Sequence, residues 1–138
     1  MNQGFVCVAA GTPKTTVADP KANREEIERL IGEMAEKRAK IMVLPELCLT
    51  GYTAGDLLLQ SPLTDAAMEA LRVILEQTSG LDPVFIVGMP VVVNHLLYNC
   101  GVVIQGGSVL GIVPKGTSFS PSITDVTPPD AGSKFLIS

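Results

Sequence analysis

The residues that most restrict the fold are Ile41-Met42-Val43-Leu44-Pro45-Glu46, an apolar run closed by proline and followed at once by a carboxylate. A continuous apolar run of this length predicts a strand covered on both faces. Pro45 has no backbone N–H, so the ladder stops there and the chain leaves the sheet. Glu46 then emerges at the strand's C-terminal end, among Leu47, Cys48 and Leu49. A carboxylate in apolar surroundings resists ionisation, which is one way to tune a general base toward neutral pH. Gly51 and Gly55 let the following backbone turn tightly. Taken alone, Glu46 reads first as a solvated loop acid.

Before this run, Phe5-Val6-Cys7-Val8-Ala9-Ala10 predicts a buried strand, ended by Gly11-Thr12-Pro13, with Cys7 as a small core residue. Asp19-Pro20 marks a helix start, a capping side chain with proline at the first helical position. Ile27, Leu30, Ile31 and Met34 recur at helical spacing. Glu25, Glu26, Glu28, Arg29 and Glu33 form the opposite, solvated face. Acids early and Lys37, Arg38 and Lys40 late suit the helix dipole. A second helix follows Ser61-Pro62-Leu63-Thr64-Asp65, with Ala67, Leu71, Ile74 and Leu75 as its stripe and Gly80 as its stop.

Residues 84–93 predict a third strand, interrupted or bent at Gly88 and Pro90. Residues 97–105 and 109–113 predict two more, joined at Gly106-Gly107 by a hairpin turn. Ile112-Val113-Pro114-Lys115 repeats the pattern at Glu46: apolar strand, proline, charge. The default reading of Lys115 is a surface cap on a strand end. If the two strands are neighbours, however, the opposite charges meet. A lysine so placed stabilises a developing oxyanion and keeps a carboxylate ionised. Helices between early strands and a late hairpin predict an α/β fold with a mixed sheet.

At 138 residues the chain suits one domain, and 46% hydrophobic content suits a packed core. No apolar run reaches membrane-spanning length and the N-terminus has no basic segment, so the expectation is a soluble, cytoplasmic protein without a membrane partner. A net charge of −4 gives no basic footprint for nucleic acid. Three dispersed cysteines, Cys7, Cys48 and Cys100, fit reduced thiols rather than a disulfide frame. With His95 as the one histidine, no metal site is expected.

The run Pro45-Glu46-Leu47-Cys48-Leu49-Thr50-Gly51-Tyr52, continued by Asp56-Leu57, resembles the first catalytic segment of the carbon–nitrogen hydrolase (nitrilase) superfamily. Gly51-Tyr52-Thr53-Ala54-Gly55-Asp56-Leu57 is similar, more narrowly, to the N-terminal glutaminase domain of glutamine-dependent NAD synthetases. Gly88-Met89-Pro90, Leu97-Tyr98-Asn99-Cys100 and Leu110-Gly111-Ile112-Val113-Pro114-Lys115 look like later segments of the same family. The resemblance implies an α-β-β-α sandwich, two sheets face to face with helices outside. It also implies Glu46 as general base, Lys115 as the catalytic lysine and Tyr52 near the substrate. The implied reaction is glutamine hydrolysis, supplying ammonia for ATP-dependent conversion of deamido-NAD to NAD. ATP and Mg are implied only for a partner synthetase domain, and the family implies a homo-oligomer.

The family's nucleophilic cysteine lies beyond the lysine on a later strand, so the resemblance leaves this chain without a nucleophile. Cys48, two residues from Glu46, stays open as a stand-in, and Cys100 reads as packing. The expectation is therefore a truncated domain. Residues 1–115 form its first half, and residues 116–138 form an irregular tail, rich in Ser, Thr, Pro and Gly, unlike the family. Such a piece is expected to expose apolar sheet surface. Whether it is an enzyme stays open. The alternatives are a stand-alone nitrilase or amidase, and a non-catalytic fragment serving as an oligomerisation module.

Overall fold

The computed structural model describes residues 4–118. In order, these form strand β1 (Val8–Ala10), helix α1 (Pro20–Glu36), strand β2 (Ile41–Val43), a 3-10 segment (Tyr52–Leu59), helix α2 (Ser61–Gln77) and strands β3 (Val84–Val93), β4 (Leu96–Gln105) and β5 (Ser108–Ser118). The five strands make one sheet in sequence order. β1, β2 and β3 run parallel, while β3, β4 and β5 form an antiparallel meander. This is the mixed α/β fold that the sequence predicts.

Both crossovers, through α1 and then α2, step the same way along the sheet. Right-handed connections therefore put both helices on the same face. Ile27, Ile31 and Met34 of α1 and Ala67, Leu71 and Ile74 of α2 close over Met42, Phe85, Val87, Met89, Val102 and Ile104 of the sheet. The described residues thus supply one helix layer on one sheet.

That arrangement corrects three expectations. β2 is covered on one face: Met42 is buried, but Ile41 and Val43 are 42% and 45% exposed. Likewise β1 is short, and Phe5, Val6 and Val8 are exposed. Cys7 is exposed as well, not a core residue, with its Sγ 3.8 Å from the Lys37 carbonyl oxygen. An apolar run identifies the strand but not how many layers cover it.

At the start of α1 the Asp19 side chain accepts from the Ala22 N–H at 3.0 Å, with Pro20 in the first turn, as expected. The expected dipole pattern is absent, because the first turn holds no acid and the last no base. The charges pair sideways instead, Arg24 with Glu28 at 2.9 Å and Arg29 with both Glu26 and Glu33. Helix α2 has Gln60 as its N-cap residue and no side-chain cap bond, so the expected capping is not made.

Three details of the strands differ from expectation. β3 continues through Gly88 and Pro90 without a break. It joins β4 through Asn94 and His95, both at positive φ (51° and 64°), a tight hairpin that Asn favours. And β5 does not end at Pro114 but runs on to Ser118. β5 is an edge strand, where a missing N–H is tolerated. The expected turn at Gly106 and Gly107 is present, with φ of 58° and 80°. Of the expected irregular tail, residues 116–138, the first three continue β5, and residues 119–138 lie outside the described residues.

Candidate functional site

The Leu44 N–H donates to the Ile86 carbonyl at 3.0 Å, the last backbone bond before Pro45 leaves the ladder. The chain then curls: Cys48 N–H donates to Pro45 O (3.3 Å) and Gly51 N–H to Leu47 O (2.8 Å), with Leu47 at a φ of 53°. Leu49 N–H donates to Gly88 O at 3.2 Å, fastening the curl to β3. Glu46 sits on the part of the curl that lies against Gly88, whose lack of a side chain lets the two backbones touch.

Along β4, alternate residues serve opposite faces. Cys100, Val102 and Ile104 belong to the helix-side core, so Asn99 and Gly101 belong to the other face. The register between β4 and β5 shifts here: Cys100 pairs with Pro114, yet Tyr98 pairs with Ser118. The extra residues of β5 form a bulge beginning at Lys115, and bulges re-aim side chains. Lys115 Nζ donates to Glu46 Oε1 at 3.0 Å, and Asn99 Nδ2 donates to the same oxygen. The three side chains, with Gly88, Ile86 and Val113, line a cleft of about 430 Å³.

The opposite charges therefore meet, although β2 and β5 are not neighbours. β3 and β4 lie between them, roughly 14 Å of sheet at the usual strand spacing. The curl after Pro45 and the bulge at Lys115 close that gap. Asn99, absent from the sequence-based candidates, is the third member. Its signal was present: a polar amide in mid-strand, 6% exposed here, needs a partner.

Tyr52 stands elsewhere. It opens the 3-10 segment, 69% exposed, and does not line the cleft. Cys48 and Cys100 pack in the helix-side core, and Cys100, next to Asn99 on β4, also borders the cleft. Burial pushes the Cys48 thiol up to about 11, and its Sγ lies 3.6 Å from Gly88 O. Burial alone pushes Cys100 up to about 12. Neither is a thiolate at neutral pH. Among the described residues no three His, Cys, Asp or Glu side chains group as a metal site, and no helix is long and apolar enough to cross a membrane.

A mixed sheet with helices packed on one face agrees with the family comparison. Residues 7–129 match the carbon–nitrogen hydrolase model, and the chain belongs to that family. Within it, the chain is similar to several glutamine-dependent NAD(+) synthetases. It is 44% identical over 112 residues to the glutamine-dependent NAD(+) synthetase of Mycobacterium tuberculosis, covering 81% of this chain and 16% of that protein. It is 40% identical over 100 residues to the Aquifex aeolicus glutamine-dependent NAD(+) synthetase, covering 72% and 17%. The crystal structure of a glutamine-dependent NAD(+) synthetase from Cytophaga hutchinsonii superposes with a TM-score of 0.78 at 26% identity, covering 91% of this chain and 22% of that one. An amidase from Nesterenkonia sp. shares the fold, with a TM-score of 0.67 at 19% identity over 96% and 48%. The chain spans about a sixth of the length of the curated relatives it matches.

Proposed function

We propose that this chain carries the base and the lysine of a glutamine-hydrolysing site whose ammonia serves ATP-dependent conversion of deamido-NAD to NAD. The observation that carries the reading is the 3.0 Å contact between Lys115 Nζ and Glu46 Oε1, made by residues 69 apart at the mouth of one cleft. The likeness to glutamine-dependent NAD(+) synthetases supplies the substrate class.

In this reading a thiol from outside the described residues is the nucleophile. Glu46 takes its proton as the sulfur bonds to the amide carbon of glutamine. The carbonyl electrons move to oxygen, and Lys115 stabilises that oxyanion. When the tetrahedral species collapses, the C–N bond breaks and Glu46 returns the proton to nitrogen, releasing ammonia. Water then gives a proton to Glu46 and attacks the thioester, and the thiolate leaves with that proton restored. Tyr52, exposed at the start of the 3-10 segment and outside the cleft lining, takes no part in these steps. In this reading ATP and Mg²⁺ act in the synthetase domain that consumes the ammonia, and no step here runs through them. Three free thiols support a cytoplasmic setting.

The test is ammonia release from glutamine by the complete gene product containing residues 1–138, with simple amides and nitriles as competitors. Glu46→Gln is expected to abolish the release and Lys115→Met to lower it about 10²–10³-fold. Equal turnover of simple nitriles points to a general nitrilase instead. Full activity in Glu46→Gln removes the proposed base.

A further inference from the structure

Glu46 is held by more than its lysine. Asn99 is buried, 6% exposed, in the middle of β4, and its Nδ2 donates to Glu46 Oε1. A carboxylate has no proton to give, so the amide must turn its NH₂ toward it. Lys115 donates to the same oxygen from the β5 bulge. Among the described residues, no hydrogen bond is made to the other oxygen, Oε2. The two donors also differ. Lys115 is long and 61% exposed, whereas Asn99 is short, buried and fixed by its ladder pairing with Pro90.

We propose that Asn99 is the positioning residue of this site. It locks the Glu46 carboxylate so that Oε1 stays committed to Asn99 and Lys115, and Oε2 is the oxygen that exchanges protons. The assignment rests on the reading of Glu46 as base, but the contact itself can be tested without turnover. A free carboxylate rotates between equivalent oxygens, while one held at a single oxygen presents the other in one direction. Losing that orientation costs on the order of 10²-fold in rate when the reacting atoms are misplaced by about 1 Å.

The first measurement uses the ¹⁵N-labelled 138-residue chain. The Asn99 side-chain NH₂ resonances are followed between about pH 3 and 7, where a glutamate titrates. They are expected to shift with one carboxyl titration, and Glu46→Gln is expected to make them independent of pH. Resonances that do not respond, or that respond identically in Glu46→Gln, overturn the proposal. The second measurement uses the complete gene product. Asn99→Ala is expected to lower kcat on the order of 10²-fold with little change in KM for glutamine. Asn99→Asp sets a second carboxylate against Glu46 and is expected to move the acidic limb of the pH–rate profile upward. A lower Tm with an unchanged pH profile and unchanged kcat overturns the positioning role. If the wild type releases no ammonia, the glutaminase reading fails, and the resonance titration still decides whether Asn99 holds Glu46.

Discussion

A β-carbon on Gly88 would lie 2.3 Å from the carbonyl oxygen of Pro45 and 2.6 Å from the backbone nitrogen of Leu47. Both neighbours are backbone, so no side chain can swing aside to make room. The segment bearing Glu46 lies directly on β3 because position 88 is glycine. Gly88→Ala is therefore expected to lift residues 45–47 and carry the carboxylate away from Lys115 and Asn99. Overpacking of this kind costs about 1–3 kcal/mol. Urea unfolding is expected to show that loss, and turnover by the complete gene product is expected to fall further than the lost stability explains. Activity equal to the wild type would mean that the curl relaxes without moving Glu46.

The Glu46–Lys115 pair adds little to stability. Its side chains are 39% and 61% exposed, and exposed pairs contribute about 0–1 kcal/mol. Lys115→Met is accordingly expected to leave the urea midpoint nearly unchanged. Loss of a preorganised oxyanion donor costs about 10²–10³-fold in kcat. A large stability change with modest kinetic loss would make Lys115 a structural residue.

The three thiols should separate cleanly. Cys7 is exposed, whereas Cys48 and Cys100 are buried. A thiol reagent at pH 8 is expected to modify Cys7 alone in the native chain and all three in denaturant, as read by mass spectrometry. Burial raises Cys48 from 9.0 to about 11 and Cys100 from 9.0 to about 12. The native state thus keeps protons that the unfolded state releases above pH 9. Stability from these groups is complete below that value and is lost as pH rises toward the folded values. The double variant Cys48→Ala/Cys100→Ala is expected to show a shallower alkaline fall in unfolding free energy than the wild type. An identical fall assigns the alkaline loss to other groups.

Element order and sheet type were legible because each rests on local chemistry: apolar periodicity for the helices, turn residues for the Gly106-Gly107 hairpin, alternating helices and strands for the parallel part. The convergence of Glu46 with Lys115 was legible only in part. Each strand–proline–charge ending could be read, but the sheet order puts two strands, β3 and β4, between β2 and β5. Their meeting depends on a curl and a bulge, features of register and not of composition. Asn99 was missed because its role depends on which face of β4 it occupies. The exposure of Cys7 and Ile41 was missed for another reason. Apolarity reports that a residue prefers cover, not that the described chain provides it.

That last point carries its own prediction. On the face away from the helices, Val8, Ile41 and Val43 are 65%, 42% and 45% exposed, side by side on β1 and β2. Val8 is paired directly with Ile41, so the three form a contiguous apolar strip beside an edge strand. Such strips drive self-association of isolated chains. Ile41→Thr and Val43→Thr keep a β-branched side chain, so strand preference is retained while the strip becomes polar. The helix-side partner Met42 is untouched and fully buried, so the core stays intact. The double variant is expected to raise the concentration at which the 138-residue chain stays monodisperse by light scattering, with its far-UV circular dichroism unchanged. If monodispersity is unaffected, association runs through another surface. If the spectrum collapses, β2 depends on Ile41 and Val43 for more than cover.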